Sequence, residues 1–225
     1  MSGGAVKSAF TAAAEAWEKK TGHRVKAGFA PAGELRKKIQ AGETADLLIV
    51  PSENLPEYEK SGAIDPSTRR DLGAVAMGAA VRQGAPVPDI STPAALRKTL
   101  TEAKSVTYMD PARGTSGKHF DEQVLPKLGI RDEVRGKATL GEGGFIAEKV
   151  ARGEVEIAFH QMTEMLPVKG VTIVGPLPGE LQKLTVYAGS VMKGAKHPAE
   201  ARALLDYLVS AEGRKAFLDR GFSAP

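Results

Sequence analysis

The stretch DPARGTSGKHF, Asp110 to Phe120, gathers Arg113, Thr115, Ser116 and two glycines, Gly114 and Gly117, ahead of a helix-like segment. An arginine offers a planar fork to a carboxylate or oxyanion. Hydroxyls each add a donor, and glycine lets backbone amides approach a ligand with no Cβ in the way. That is chemistry for holding an anion. It is not a nucleotide loop, because Gly117-Lys118-His119 places histidine where the magnesium-binding hydroxyl belongs, and no G-x-G-x-x-G is present. The plainer alternative makes Arg113 a solvated loop residue and Thr115 or Ser116 a simple helix cap.

Three further glycine-containing junctions share this character: SGGA with Gly3, Gly4 and Ala5, APAG with Ala32 and Gly33, and GEGG with Gly143 and Gly144. Free amides and the positive helix end converge at such strand-to-helix junctions and suit anions. Each alone reads as a turn; four in one α/β pattern read as a ligand site. The histidines, His23, His119, His160 and His197, have no paired ligand spacing, so no metal site is expected. His23 and His197 lie beside turns and are expected at the surface. His160 ends an apolar run and is followed by Gln161 and Glu164. It is either a buried structural histidine or a proton-transfer group. No G-x-S-x-G elbow supports a serine hydrolase.

The elements that must position these residues alternate. Val6, Phe10, Ala13 and Trp17 recur at helical spacing over residues 5–20. The segment HRVKAGF reads as a strand, ELRKKIQ as a helix, and ADLLIV as a buried strand. NLPEYEKSGAI reads as a short helix or turn, GAVAMGAAVR as one long extended segment, and SVTYMD as the strand ahead of the anion loop. A helix over HFDEQVLPKLG is expected to break or kink near Pro126. GGFIAEKVARGE reads as a helix, VEIAFH, VTIVGPLP and LTVYAGSVM as strands, and HPAEARALLDYLVS and AEGRKAFLDRG as closing helices. The order predicts an α/β protein with mostly parallel sheets. KIQAGETADLLIV and KVARGEVEIAFH repeat one order, helix end, Gly-Glu turn, buried strand, as two related lobes would. A strand is also expected before the first helix, where only Met1 to Gly4 are available.

Composition narrows the class. With 225 residues, 42% hydrophobic and 26% charged, the chain has room for one or two ordinary domains. Cysteine is absent, which removes thiolate chemistry and disulfides. A net charge of +4 tolerates an anionic partner. Aromatics at 5% and evenly spread basic residues argue against nucleic acid. No apolar run is long enough for membrane insertion, and no signal peptide is visible.

On GFAPAGELRKKIQAGETADLLIVPSENLPEYEKSGAID, MDPARGTSGKHFDEQVLPKLGI and LLDYLVSAEGRKAFLDRGF, the chain resembles periplasmic solute-binding proteins of type II fold, in their molybdate-binding branch. The resemblance spans nearly the whole chain. It implies two α/β lobes, each a mixed, mostly parallel sheet flanked by helices, closing on an anion in a cleft between them. One lobe would comprise 1–80 plus 186–225 and the other 81–185, with crossings near Ala79–Arg82 and Thr185–Gly189. It also implies a first strand that this chain lacks, a periplasmic mature form (with a cytoplasmic one still open), a monomer, and an ABC transporter membrane component as partner. The branch coordinates its oxyanion with a serine in each of its first two loops, where this chain has Ala5 and APAG. The branch's ligand-binding tyrosine falls on His160. Those departures replace a molybdate cage with groups suited to a planar di- or tricarboxylate.

GAVKSAF and GPLPGELQKLTVYAGSV resemble the aconitate isomerases built on the same scaffold. Two functions therefore stand. The first is binding of a small carboxylate anion. The alternative is cofactor-independent isomerisation of aconitate with His160 as base. The ligand-binding set on either reading is Gly3, Gly4, Ala5, Ala32, Gly33, Arg113, Thr115, Ser116, Gly117, Gly143, Gly144, His160 and Gln161. A ligand-sensing regulator is weaker, for want of a helix-turn-helix segment.

Overall fold

The computed structural model describes residues 1–225, and the chain divides into two compact units, Met1–Val75 with Thr185–Pro225, and Ala76–Leu184. In the first, α1 (Lys7–Thr21), α2 (Ala32–Gln40), β1 (Leu47–Pro51), α3 (Leu55–Lys60) and β2 (Arg70–Val75) precede the excursion into the second. The second contains β3 (Met77–Arg82), α4 (Pro93–Glu102), β4 (Val106–Met109), α5 (Thr115–His119), a π-turn (Phe120–Val124), α6 (Leu125–Lys127) and α7 (Arg131–Arg135). It continues with β5 (Ala138–Gly141), α8 (Glu148–Ala151), β6 (Ile157–Gln161), α9 (Met162–Met165) and β7 (Val171–Pro176). Back in the first unit, β8 (Thr185–Val191), α10 (Pro198–Leu208) and α11 (Ala211–Leu218) complete the chain.

The first unit is built on the sheet β1-β8-β2, with both ladders antiparallel. Helix α1 buries Ala9, Phe10, Ala13, Ala14 and Trp17 as one stripe. Lys19 and Lys20 complement its negative end, and Gly22 ends it at φ 77, donating to Glu18 O at 2.8 Å. Ala201, Leu204, Leu205 and Leu208 of α10 join the same core with Phe217 of α11. Each such fully buried large side chain contributes about 1.5–3 kcal/mol.

The second unit is built on β5-β4-β6-β3-β7. Only β4-β5 and β4-β6 are parallel; β3 pairs antiparallel with β6 and β7. The ladders of the first sheet are thus antiparallel and the second sheet is mixed, two ladders of each kind, so the expected parallel majority is corrected. Strands β3 and β8, which carry the chain between units, run against both of their neighbours. The helix–Gly-Glu turn–strand order does recur, as α2–β1 and α8–β6, and both strands are buried along their full length.

Four other expectations are corrected. GAVAMGAAVR is two strands, β2 and β3, separated at Ala76 and paired in different sheets. HRVKAGF is extended but forms no strand beyond a bridge of Phe29 to Ser2, since it lies beside no continuous partner. Pro126 does not break its helix. The i→i+5 register of the π-turn immediately upstream absorbs the missing N–H, so 115–127 stays helical. The helix over GGFIAEKVARGE shrinks to the four residues of α8, because Gly143 and Gly144 take positive φ values of 152 and 70°.

Candidate functional site

Strands β4 and β6 are parallel neighbours, so their C-terminal ends deliver two loops to one edge of the second unit. After β4, Asp110 organises the turn. Its carboxylate accepts from Ala112 N at 2.9 Å, and its carbonyl accepts from Arg113 N at 2.9 Å and Gly114 N at 3.1 Å. Gly114, in extended conformation, then starts α5. A Cβ on Gly117 would overlap the Met109 carbonyl oxygen, so glycine is what lets the helix sit directly on the end of β4. Gly117→Ala is expected to cost about 1–3 kcal/mol through overpacking against fixed backbone, read as a lower urea midpoint with unchanged slope. Gly114→Ala meets only the Met109 side chain, which can turn aside, and is expected to cost less.

The start of α5 presents the amides of Thr115, Ser116 and Gly117, which have no acceptor one turn earlier in the helix. Ser116 is buried, and its Oγ lies 3.0 Å from Nδ1 of His160. His160, 2% exposed in β6, places Nε2 3.1 Å from Oε2 of Glu164, four residues further on in α9. This second approach has ion-pair distance without the alignment of a hydrogen bond. Donor and acceptor roles in the Ser116–His160 contact follow the tautomer: an unprotonated Nδ1 accepts from the Ser116 hydroxyl. Hydroxyl, imidazole and carboxylate thus form one buried chain, Ser116–His160–Glu164.

The helix carrying Ser116 is held down by a second buried group. Asp121, in the π-turn, is fully buried and accepts from Arg131, Arg135 and the Tyr108 hydroxyl. Burial alone would raise its carboxyl, but hydrogen bonds from Arg135, Arg131 and Tyr108 outweigh that and hold it below the usual carboxylate range. Tyr108 is pushed up to about 12, by burial first and the Asp121 hydrogen bond second. Phe120 stacks on Phe159 at 4.8 Å and meets Tyr108 at 5.1 Å, locking the π-turn to β4 and β6.

Other expected residues divide between the units. Arg113 is exposed and donates to Glu142 O at 3.2 Å, with Glu142 Oε2 at 3.8 Å. It therefore ties the DPARGTSG loop to the turn of Gly143 and Gly144. Gln161 is buried beside His160. In the first unit, Gly3 N donates to Ile49 O at 2.9 Å, and Ser2 O accepts from Ala30 N at 3.0 Å, which sets the loop of Gly3 and Gly4 beside that of Ala32 and Gly33. Ala5 packs its side chain into the core, leaving only backbone for a ligand. His23 stacks on Trp17, His197 bonds Asp46, and His119 bonds Leu181 O. Sequence reasoning assigned no role to Glu164 or Asp110. The signals available were a carboxylate four residues after His160 and an aspartate opening a turn at a strand end.

The profile of the family described as bacterial extracellular solute-binding protein matches residues 1–223. The chain belongs to that family. It is 35% identical over 226 residues to an aconitate isomerase of Pseudomonas sp., covering 98% of this chain and 85% of that protein. It is 26% identical over 211 residues to the molybdate-binding protein of Escherichia coli, covering 92% and 81%. Among solved structures, the periplasmic molybdate-binding protein of Azotobacter vinelandii matches with TM-score 0.84 at 17% identity, covering 100% of this chain and 97% of that one. The solute-binding fold is thereby shown. No helix in the chain is long and apolar enough to cross a membrane.

Proposed function

We propose that the protein binds a small unsaturated polycarboxylate at the start of α5 and shifts a proton along it, as an aconitate isomerase. The observation that carries this reading is the buried chain Ser116–His160–Glu164. Holding an anion requires donors; a histidine backed by a carboxylate adds a group that can accept and return a proton. The likeness to the Pseudomonas aconitate isomerase supports the substrate class.

The reaction needs one proton moved across three carbons. Both ring nitrogens of His160 face protein groups, so on this reading Ser116 Oγ is the atom that meets substrate. As Oγ takes a proton from the methylene carbon, it passes its own to Nδ1, and Glu164 stabilises the imidazolium. The C–H electron pair becomes the new C=C, and the former C=C pair takes the proton back at its far carbon. The free amides of Thr115, Ser116 and Gly117 and the Arg113 fork would hold carboxylates and the charge that develops. Gly143 and Gly144 keep the facing turn free of side chains. The loops of Gly3, Gly4 and Ala5 and of Ala32 and Gly33 are proposed as further backbone contacts.

Incubating the purified protein with trans-aconitate and following cis-aconitate by NMR tests this directly. Expected is conversion, with deuterium entering the product in D2O. Tight binding with no conversion after long incubation would sink the isomerase and leave the second reading. That reading is a binding protein that hands a carboxylate to a membrane transporter, and it is favoured by the family match over residues 1–223. For either reading, Arg113→Ala is expected to weaken aconitate binding about tenfold, the low end for a hydrogen bond to a charged group. Unchanged affinity by calorimetry would remove Arg113 from the site.

A further inference from the structure

The turn over residues 177–183, inside the stretch GPLPGELQKLTVYAGSV, takes no part in the Ser116–His160–Glu164 chain. It follows β7 and stays within the second unit. Leu181 N donates to Pro178 O at 2.8 Å and Gln182 N to Gly179 O at 3.3 Å, which closes the turn. Leu177 and Leu181 are buried in the core that also holds Met77, Phe120 and Phe159. Apolar burial alone would make the turn a plug for the end of the sheet. It also makes two sets of polar bonds, and both end beside the contact of Ser116 with His160.

The first set runs to β3. Strand β7 pairs with β3 as far as Pro176 opposite Gly78, so Met77 lies beyond that ladder. The side-chain amide of Gln182 takes the place of a strand neighbour there. Its Oε1 accepts from Met77 N at 2.9 Å, and its Nε2 donates to Met77 O at 2.7 Å. Leu177 N donates to the same carbonyl at 2.9 Å. One amide thus answers a backbone donor and a backbone acceptor, which fixes which way round it sits. On its other side β3 pairs with β6, Met77 opposite Gln161 and Gly78 opposite His160.

The second set runs to α5. His119 Nε2 lies 2.9 Å from Leu181 O. A carbonyl only accepts, so Nε2 carries the proton in this contact. His119 lies three residues after Ser116 in the same helix, and residues so spaced are neighbours on its surface.

We propose that His119 and Gln182 are positioning residues, which through the turn 177–183 set the 3.0 Å separation of Ser116 Oγ and His160 Nδ1. The consequence for catalysis rests on the isomerase reading above; the consequence for the hydrogen bond does not. One side of the turn holds the helix that carries the hydroxyl. The other holds the strand paired with the one that carries the imidazole. A proton passes between those two atoms only at hydrogen-bond reach, and a displacement of about 1 Å costs on the order of 10²-fold in rate. The α5 amides proposed to hold carboxylates move with the helix as a body, so the loss is expected in kcat rather than KM.

The test uses Gln182→Met and His119→Phe, which keep the bulk and remove the polar bonds, beside His119→Gln, whose Nε2 can still donate to Leu181 O. The readouts are kcat and KM for trans-aconitate and, in the unliganded protein, the nitrogen NMR resonance of His160 Nδ1, assigned by its absence in His160→Gln. For Gln182→Met and for His119→Phe, kcat is expected to fall about tenfold with KM within about twofold. Their Nδ1 resonance is expected to move toward its position in Ser116→Ala. His119→Gln should restore most of both. Wild-type kcat or an unmoved resonance in either polar-bond variant, whatever its thermal midpoint, would reduce the turn to an apolar plug and overturn the proposal. A raised KM at unchanged kcat would overturn it too. If the wild type itself converts no aconitate, the isomerase reading fails alone and the resonance decides: moved in both variants it upholds the positioning role, unmoved in either it overturns it.

Discussion

His160→Gln is expected to lower conversion of trans- to cis-aconitate by about 10²–10⁴-fold, the range by which a positioned proton-transfer group accelerates a reaction. Glutamine can still accept a hydrogen bond from Ser116 but cannot store the proton. Aconitate affinity by calorimetry is expected to stay within a few-fold, because the proposed holding groups are the α5 amides and Arg113. Ser116→Ala should cost a similar factor, and the double variant no more than the worse single one, since the two act as a unit. Glu164→Gln removes the charge that stabilises the imidazolium and is expected to cost about tenfold, in kcat rather than KM. Wild-type turnover in His160→Gln would remove the relay from the mechanism, whatever the protein binds.

Asp121→Ala is expected to destabilise the protein by about 3 kcal/mol, which for a chain of this length lowers the thermal midpoint by about 6–12 °C. The largest part comes from Tyr108, whose hydroxyl is fully buried and would lose the one carboxylate it donates to. Arg131 and Arg135 are partly exposed, 37% and 46%, so water can take over their donors, and their loss adds less. Asp121→Asn keeps the shape and is expected to cost about half as much. The pH dependence has a definite sign. The folded-state pKa of Asp121 lies below the unfolded value near 3.9, so its contribution is full above that value and is lost as pH falls through the folded one. Wild type should therefore lose its advantage over Asp121→Asn in acid titrations below about pH 4. An advantage that does not shrink as the pH falls below 4 would show that the carboxylate's charge is not what holds α5 in place.

Much of this was legible in the chain because it depends on local rules. Helix α1 follows from apolar spacing and ends where Gly22 supplies a positive φ. Strands β1 and β6 follow from short apolar runs, and the Gly-rich turn before α5 marks an anion-ready helix start without reference to anything distant. His160 stood out by residue type at a strand end. Ladder direction did not stand out, because whether β3 and β8 run with or against their neighbours depends on which strands they meet. Nor did the extended but unpaired state of HRVKAGF, since a strand is defined by its partner.

The sequence by itself determined an α/β solute-binding scaffold, its anion-suited loops and a histidine able to exchange protons. Only the tertiary structure decided that Ser116, 44 residues from His160, touches its ring, that Glu164 backs it, and that Asp121 gathers two arginines and Tyr108 beneath the helix. The physical reason is range. Backbone propensity and periodicity act over a few residues and are written in order along the chain. The Ser116–His160–Glu164 cluster is a set of distances between side chains, and those distances exist only once parallel strands β4 and β6 bring their ends together.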